Sequence, residues 1–172
     1  EDDHNHHGLL VSDMKKMRRI ALLALDLDYQ MNTHCIGDSA NAMVLELYRK
    51  VYQVKKDHRF RIEHAQIVDP KDFIKFSQYG VMPSVQPTHA VSDQRWVENR
   101  IGKNRLKGAY AYATLIKQYG MLALGTDFPV ELTNPFLTIH AAVQRMNAKN
   151  EPIDGFLKGE ALTLNETLKG MT

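Results

Sequence analysis

The spacing of its apolar runs is the strongest constraint on what this chain can fold into. Candidate strands begin near residues 29, 59, 81 and 121, and each is followed by a stretch whose apolar residues recur with helical period. Strand then helix, four times over, predicts a parallel sheet with crossover helices. The average repeat of roughly 31 residues equals that of a TIM-type barrel of ~250 residues in eight units. The expected fold class is therefore α/β, a partial (β/α) barrel of about four parallel units. A doubly wound flavodoxin-like sheet has similar spacing and is the weaker alternative.

Local signals place the elements. A first helix is expected from Ser12, a candidate N-cap, through Met14, Met17, Ile20 and Leu25. Strands are expected over 29–36, 59–65, 81–86 and 121–126. Asp38 reads as the cap of a helix with Ala40, Met43, Val44, Leu47 and Val51 on one face. Asp69-Pro70 opens a helix carrying Phe73, Ile74 and Phe76, and a further helix over 105–119 ends at Gly120. Asn134-Pro135 starts another, with Phe136, Ile139, Val143 and Met146 expected on its buried side, and Thr163 with Glu166 forms a capping box near the end. The stretch 87–104 reads as a long connection of the kind that carries function.

Composition narrows the partners. With 22 Lys and Arg against 20 Asp and Glu, the net charge of +2 gives no reason to expect nucleic acid or an anionic membrane. The longest apolar run, Ile20 to Leu25, is far short of the ~20 residues of a membrane span, and a lone cysteine, Cys35, excludes an internal disulfide. The chain opens at Glu1 without an initiator Met or an apolar leader, which suggests a trimmed start; the missing leader then says little about compartment, which stays unknown with cytoplasmic as the default. Residues 1–11 read as a flexible acidic, His-rich segment preceding a domain over 12–172. His4 and His6 there form an H-x-H pair, but no apolar strand precedes them to hold two imidazoles in a site.

The chemistry lies at the strand ends. The first strand ends in Thr33-His34-Cys35, the second in Glu63-His64-Ala65, the third leads into Pro87-Thr88-His89, and the fourth ends in Gly125-Thr126-Asp127. In a parallel barrel these ends face one mouth, where active sites of the fold are built. Imidazole and carboxylate are the donor set for zinc and similar divalent ions. Asp127 can alternatively cap the turn before Phe128-Pro129. His89 is open between substrate contact and a structural loop position, and Trp96 between lining a pocket and pinning the loop. Cys35 reads as a small buried hydrophobe. Strand alternation points Glu63 and Cys35 away from their histidine neighbours.

Four segments carry a family resemblance: Asn32 to Asn41, Arg61 to Gln66, Ser84 to His89 and Gly125 to Val130. In this order they resemble the amidohydrolase superfamily, and within it the YtcJ-like, amidohydrolase-3 branch of metal-dependent hydrolases. The resemblance implies that the chain corresponds to the C-terminal half of the barrel, strands five to eight. It further implies that His34 and His64 bind metal, zinc foremost, that Asp127 binds metal and acts as general base, and that His89 contacts substrate, with Arg95 and Trp96 as further substrate-side residues. The reaction implied is hydrolysis of a non-peptide C–N bond (amide, imide or carbamate-like) in a small molecule. An H-x-H strand and a further ligand expected of the family do not occur in these motifs, so the site here is expected to be incomplete. The alternatives are another divalent-metal barrel hydrolase, or a non-catalytic half-barrel that binds ligands or assembles with its own copies through two unpaired sheet edges.

Overall fold

The computed structural model describes residues 8–172, so the His4 and His6 pair lies outside the described residues. Among the described residues eight α-helices and four strands follow in the order α1 Met14–Asp26, β1 Asn32–Cys35, α2 Asp38–Val54, β2 Arg61–His64, α3 Phe73–Gln78, β3 Met82–Val85, α4 Pro87–Asp93, α5 Val97–Arg105, α6 Tyr112–Tyr119, β4 Ala123–Leu124, α7 Pro135–Gln144 and α8 Leu164–Met171, with at least one helix between successive strands. The strands pair in the order β1-β2-β3-β4, all parallel. Sequential neighbours joined by helices are the arrangement of an arc of a TIM-type barrel.

Most termini sit where their capping chemistry lies. Asp69 accepts from Lys71 N–H ahead of Pro70, Asn134 accepts from Phe136 N–H ahead of Pro135, and Thr163 with Glu166 closes a reciprocal capping box on α8. Gly120 ends α6 at φ 95°, a conformation that favours glycine. Two caps shift by one residue. Asp13, not Ser12, caps α1 by accepting from Lys16 N–H, and Gly37 occupies the cap of α2 while Asp38 becomes its first residue.

Three expectations are overturned. The stretch 87–104 is not a loop: Pro87 stands at the first position of α4 directly after β3, and α5 follows after a short link. The helix expected over 105–119 begins only at Tyr112. Before it, Gly108 packs so closely on Val68 that a Cβ would stand 1.7 Å from the Val68 carbonyl oxygen, and Ala109 bridges to Ile67. On α7 the buried residues are Thr138, Ala141 and Ala142, whereas Phe136 is 74% exposed. α7 packs against both α4 and α8.

The core lies on the helix side of the sheet. Cys35, Ile62 and Val85 pack with Val44, Leu45, Tyr48, Phe60, Phe76 and Leu115 in one buried cluster. The opposite face is open, with Asn32 and His34 exposed and Arg61 and Glu63 half-buried and joined by a 3.1 Å ion pair.

Two buried polar residues brace this layout. Asn41, fully buried on α2, donates through Nδ2 to the carbonyls of Gly37 at 2.9 Å, Ile67 at 3.0 Å and Cys35 at 3.4 Å. His58 accepts from Phe60 N–H at Nδ1 and donates from Nε2 to the Tyr79 carbonyl, which commits it to the neutral form.

Replacing Asn41 with Leu is expected to lower unfolding free energy by about 2–3 kcal/mol, because buried carbonyls lose their donor. Asn41→Asp should be worse, since a carboxylate would face the same carbonyl oxygens. Urea unfolding checks both, and an Asp variant as stable as wild type would refute the staple. For His58, burial lowers the imidazole pKa, with the Tyr79 hydrogen bond and Asp57 pulling the other way. The unfolded chain, with an ordinary pKa of about 6.5, then binds more protons in the window below that value. Stability should be full above about pH 6.5 and decline as pH falls through the window toward the folded-state pKa. Unfolding curves at pH 7.5 and 5.5 should show this decline reduced in His58→Phe; an unchanged decline would count against it.

Candidate metal centre

His34 and His64 reach one another by different routes. The register sets His34 opposite Glu63 and Cys35 opposite His64, so regular alternation would leave Glu63, not His64, beside His34. This corrects the expectation that Glu63 turns away: it shares the open face with His34. The backbone at His64 breaks the alternation, with φ 74° there and 42° at Ala65. Its ring meets the His34 ring edge-on with centroids 4.4 Å apart. On its other side the His64 ring stacks on His89 at 5.8 Å and 17°.

His89 is carried by α4, the helix that replaces the expected loop. Its Nε2 is buried and has no hydrogen-bond partner. The helix is held by a buried network in which Tyr110 OH donates to Asp93 Oδ2 at 2.6 Å, and Gln66 Nε2 donates to Asp93 Oδ2 at 3.2 Å and to Tyr110 Oη at 2.9 Å. Burial raises the Asp93 pKa and the Tyr110 hydrogen bond opposes it. The network ties the exit of β2 to the last turn of α4 and so holds His89 against His64.

Asp127 follows β4 at φ 56°. Its backbone carbonyl, not its carboxylate, accepts from Val130 N–H in the turn. The segment beyond it is tied to α4 where Ser92 Oγ donates to Glu131 Oε1 at 2.7 Å. Although His34 is exposed on the open face, nearby protein lowers its imidazole pKa by burial, the His64 ring adds to this, and the Asp127 carboxylate raises it. The neutral imidazole so favoured is the form that binds metals.

Other expected residues lie apart from this row. Arg95 pairs with Glu151 at 3.5 Å, and Trp96, 45% exposed, stands at the cap position of α5. The Cys35 thiol is buried and its pKa is pushed up to about 12, which suits a small hydrophobe. The residue that composition and spacing did not single out is Gln86, at the end of β3. Its Oε1 accepts from His64 Nδ1–H at 2.8 Å, leaving the lone pair on His64 Nε2.

Among the described residues, no three His, Cys, Asp or Glu side chains come together tightly enough to hold a metal ion. Two imidazoles in contact, one with its Nδ1 already committed, nevertheless have the donor chemistry of a divalent-metal site. The residues present fit part of such a site.

Comparison with known proteins gives the chain its family. The model of the Amidohydrolase family matches residues 5–172. Protein LONG AFTER FAR-RED 3 of Arabidopsis thaliana is 34% identical over 99% of this chain and 30% of its own length. YtcJ of Bacillus subtilis (strain 168), whose name assigns it to the amidohydrolases, is 31% identical over 98% of the chain and 32% of its own length. Among solved structures, an uncharacterized metal-dependent hydrolase from Pyrococcus horikoshii OT3 superposes with a TM-score of 0.85 at 31% identity, over 99% of this chain and 34% of that one. A second, from Pyrococcus furiosus, gives 0.80 at 30% identity, over 97% and 32%. The chain thus spans about a third of each relative. With the family's model covering nearly the whole chain and the fold shared with its hydrolases, this chain belongs to the amidohydrolase family.

Proposed function

We propose that this chain supplies one side of the active site of a metal-dependent hydrolase that cleaves non-peptide C–N bonds, of the amide, imide or carbamate class, in a small molecule. The observation that carries the reading is the contact of the His34 and His64 rings at the ends of adjacent parallel strands, with Asp127 in electrostatic reach of His34. His34, His64 and Asp127 are the residues that would hold a divalent ion, zinc foremost on this donor set, with further donors contributed by the rest of the barrel. Bound there, the ion would supply Lewis acidity and lower the pKa of water at its open position.

The chain's own residues have separable tasks. Asp127 is the general base: its carboxylate accepts a proton on the attacking side and returns it to the leaving nitrogen. His89, beside His64, donates a hydrogen bond that polarises the scissile carbonyl. Arg95 and Trp96 belong to the substrate side, and swinging Arg95 inward would require releasing Glu151. A second reading rests on β1 and β4, each of which pairs on one side among the described residues. Such edges invite a second copy of the chain, and a non-catalytic half-barrel would use them for self-assembly.

In a protein that joins this chain to the remaining barrel, His34→Ala and His64→Ala should each strip most of the bound metal and lower turnover by at least 100-fold, whereas His89→Ala should retain metal and lose turnover. Elemental analysis beside kinetic assay checks this. Normal metal content and turnover in both ligand variants would sink the assignment, and a metal-free oligomer of the 172-residue chain in light scattering would favour the assembly reading.

A further inference from the structure

We infer that Gln86 is the positioning residue of the site: it selects the Nδ1–H tautomer of His64, which leaves the lone pair on Nε2, and holds the ring against His34. The inference rests on the reading of His64 as a metal ligand, but its structural content stands on separate observations. His64 leaves the regular strand path at φ 74°, so its ring direction is not dictated by the sheet. A group that departs from alternation needs another restraint, and the 2.8 Å bond from Nδ1–H to Gln86 Oε1 supplies one.

Gln86 is well anchored for that task. It is 6% exposed. Its backbone carbonyl accepts from Tyr112 OH at 3.0 Å and from His89 N–H at 3.0 Å. Tyr112 is itself fully buried beneath the Arg145 guanidinium, which lies 4.8 Å from its ring centroid. The acceptor is thus mounted on backbone clamped from α4 and α6, and the stacked His89 ring limits the remaining freedom of His64.

The choice of tautomer matters because the two ring nitrogens do different things. With the proton on Nδ1, Nε2 presents a lone pair; with the proton on Nε2, that nitrogen can only donate a hydrogen bond and cannot itself bind metal. Partners of this second rank commonly change metal affinity by about 10–100-fold when removed. A neutral amide acceptor also leaves the local charge unchanged, in contrast to a carboxylate at the same position.

The test uses ring ¹⁵N shifts of the metal-free 172-residue chain at a pH where His64 is neutral, together with a competition titration of zinc alone. Wild type should show His64 protonated on Nδ1. Gln86→Leu should shift the proton toward Nε2 and weaken zinc about 10–100-fold. Gln86→Glu, which keeps an acceptor in place, should restore the Nδ1–H form and so guards against a Leu variant that merely misfolds. An Nε2–H ring in wild type, or an unchanged tautomer in folded Gln86→Leu, overturns the inference. His64→Ala separates the two readings: if it binds zinc as well as wild type while the tautomer results hold, the ligand assignment fails and the orienting role of Gln86 survives.

Discussion

The arrangement depends on one side-chain amide. Asn41 reaches from the first turn of α2 to carbonyls on two different strand exits, Cys35 and Gly37 after β1 and Ile67 after β2. These exits carry His34 and His64. Loops leaving a parallel sheet have lost their ladder partners, and their carbonyls need donors from elsewhere. A single buried amide serving both exits couples their positions, so that one imidazole cannot drift from the other without breaking a buried hydrogen bond.

The coupling allows strained backbone at the site itself. His64, Ala65 and Asp127 adopt left-handed φ values of 74°, 42° and 56°. Each such residue costs about 1–3 kcal/mol and persists only where the surroundings over-determine it. At His64 the surroundings are identifiable: the Asn41 amide holds the chain beyond it, Gln86 holds the ring, and the Gln66, Asp93 and Tyr110 network holds the helix whose histidine stacks on it. The strain brings His64 out of its regular register and into contact with His34. Asn41, Gln86, Gln66, Asp93 and Tyr110 all lie outside the proposed ligands, so substitutions there would act on the histidine pair indirectly.

Much of this was legible in the sequence because it depends on short-range chemistry. The parallel order follows from the strand and helix repeat, and the ends of α6, α7 and α8 follow from Gly120, Asn134 and Thr163, each acting within three residues of itself. The position of His34, His64 and Asp127 at or just past strand ends was legible because each ends an apolar run. What escaped was set by tertiary contact. The face of His64 follows from a left-handed residue that alternation cannot anticipate. The helix expected from 105 starts only at Tyr112, after Gly108 has packed against Val68, 40 positions back. The stretch 87–104 is polar enough to read as loop, yet Pro87 starts a helix at once because the preceding strand ends there. Gln86, Asn41 and Asp93 are ordinary polar residues in sequence, and their importance appears only once their partners, 22, 26 and 17 positions away, are known.

The two faces of the sheet explain why a chain of this size can be well packed and still present incomplete chemistry. Thr33, Cys35 and Ile62 point into a continuous apolar cluster with the helices, and this side alone holds the core. Asn32, His34, Arg61 and Glu63 point the other way, and none of these side chains has the apolar surface that would penalise exposure to water. Folding energy and chemistry are therefore segregated by strand alternation: alternate residues build the scaffold while their neighbours carry the donors. His64 is the exception, being buried at 7% exposure and yet directed to the polar side, and it is the residue for which the molecule deploys a strained backbone, a dedicated acceptor and a stacked ring. A donor on the scaffold side of the pattern has to be held in place by specific partners, whereas one on the open face, such as His34, needs only the strand.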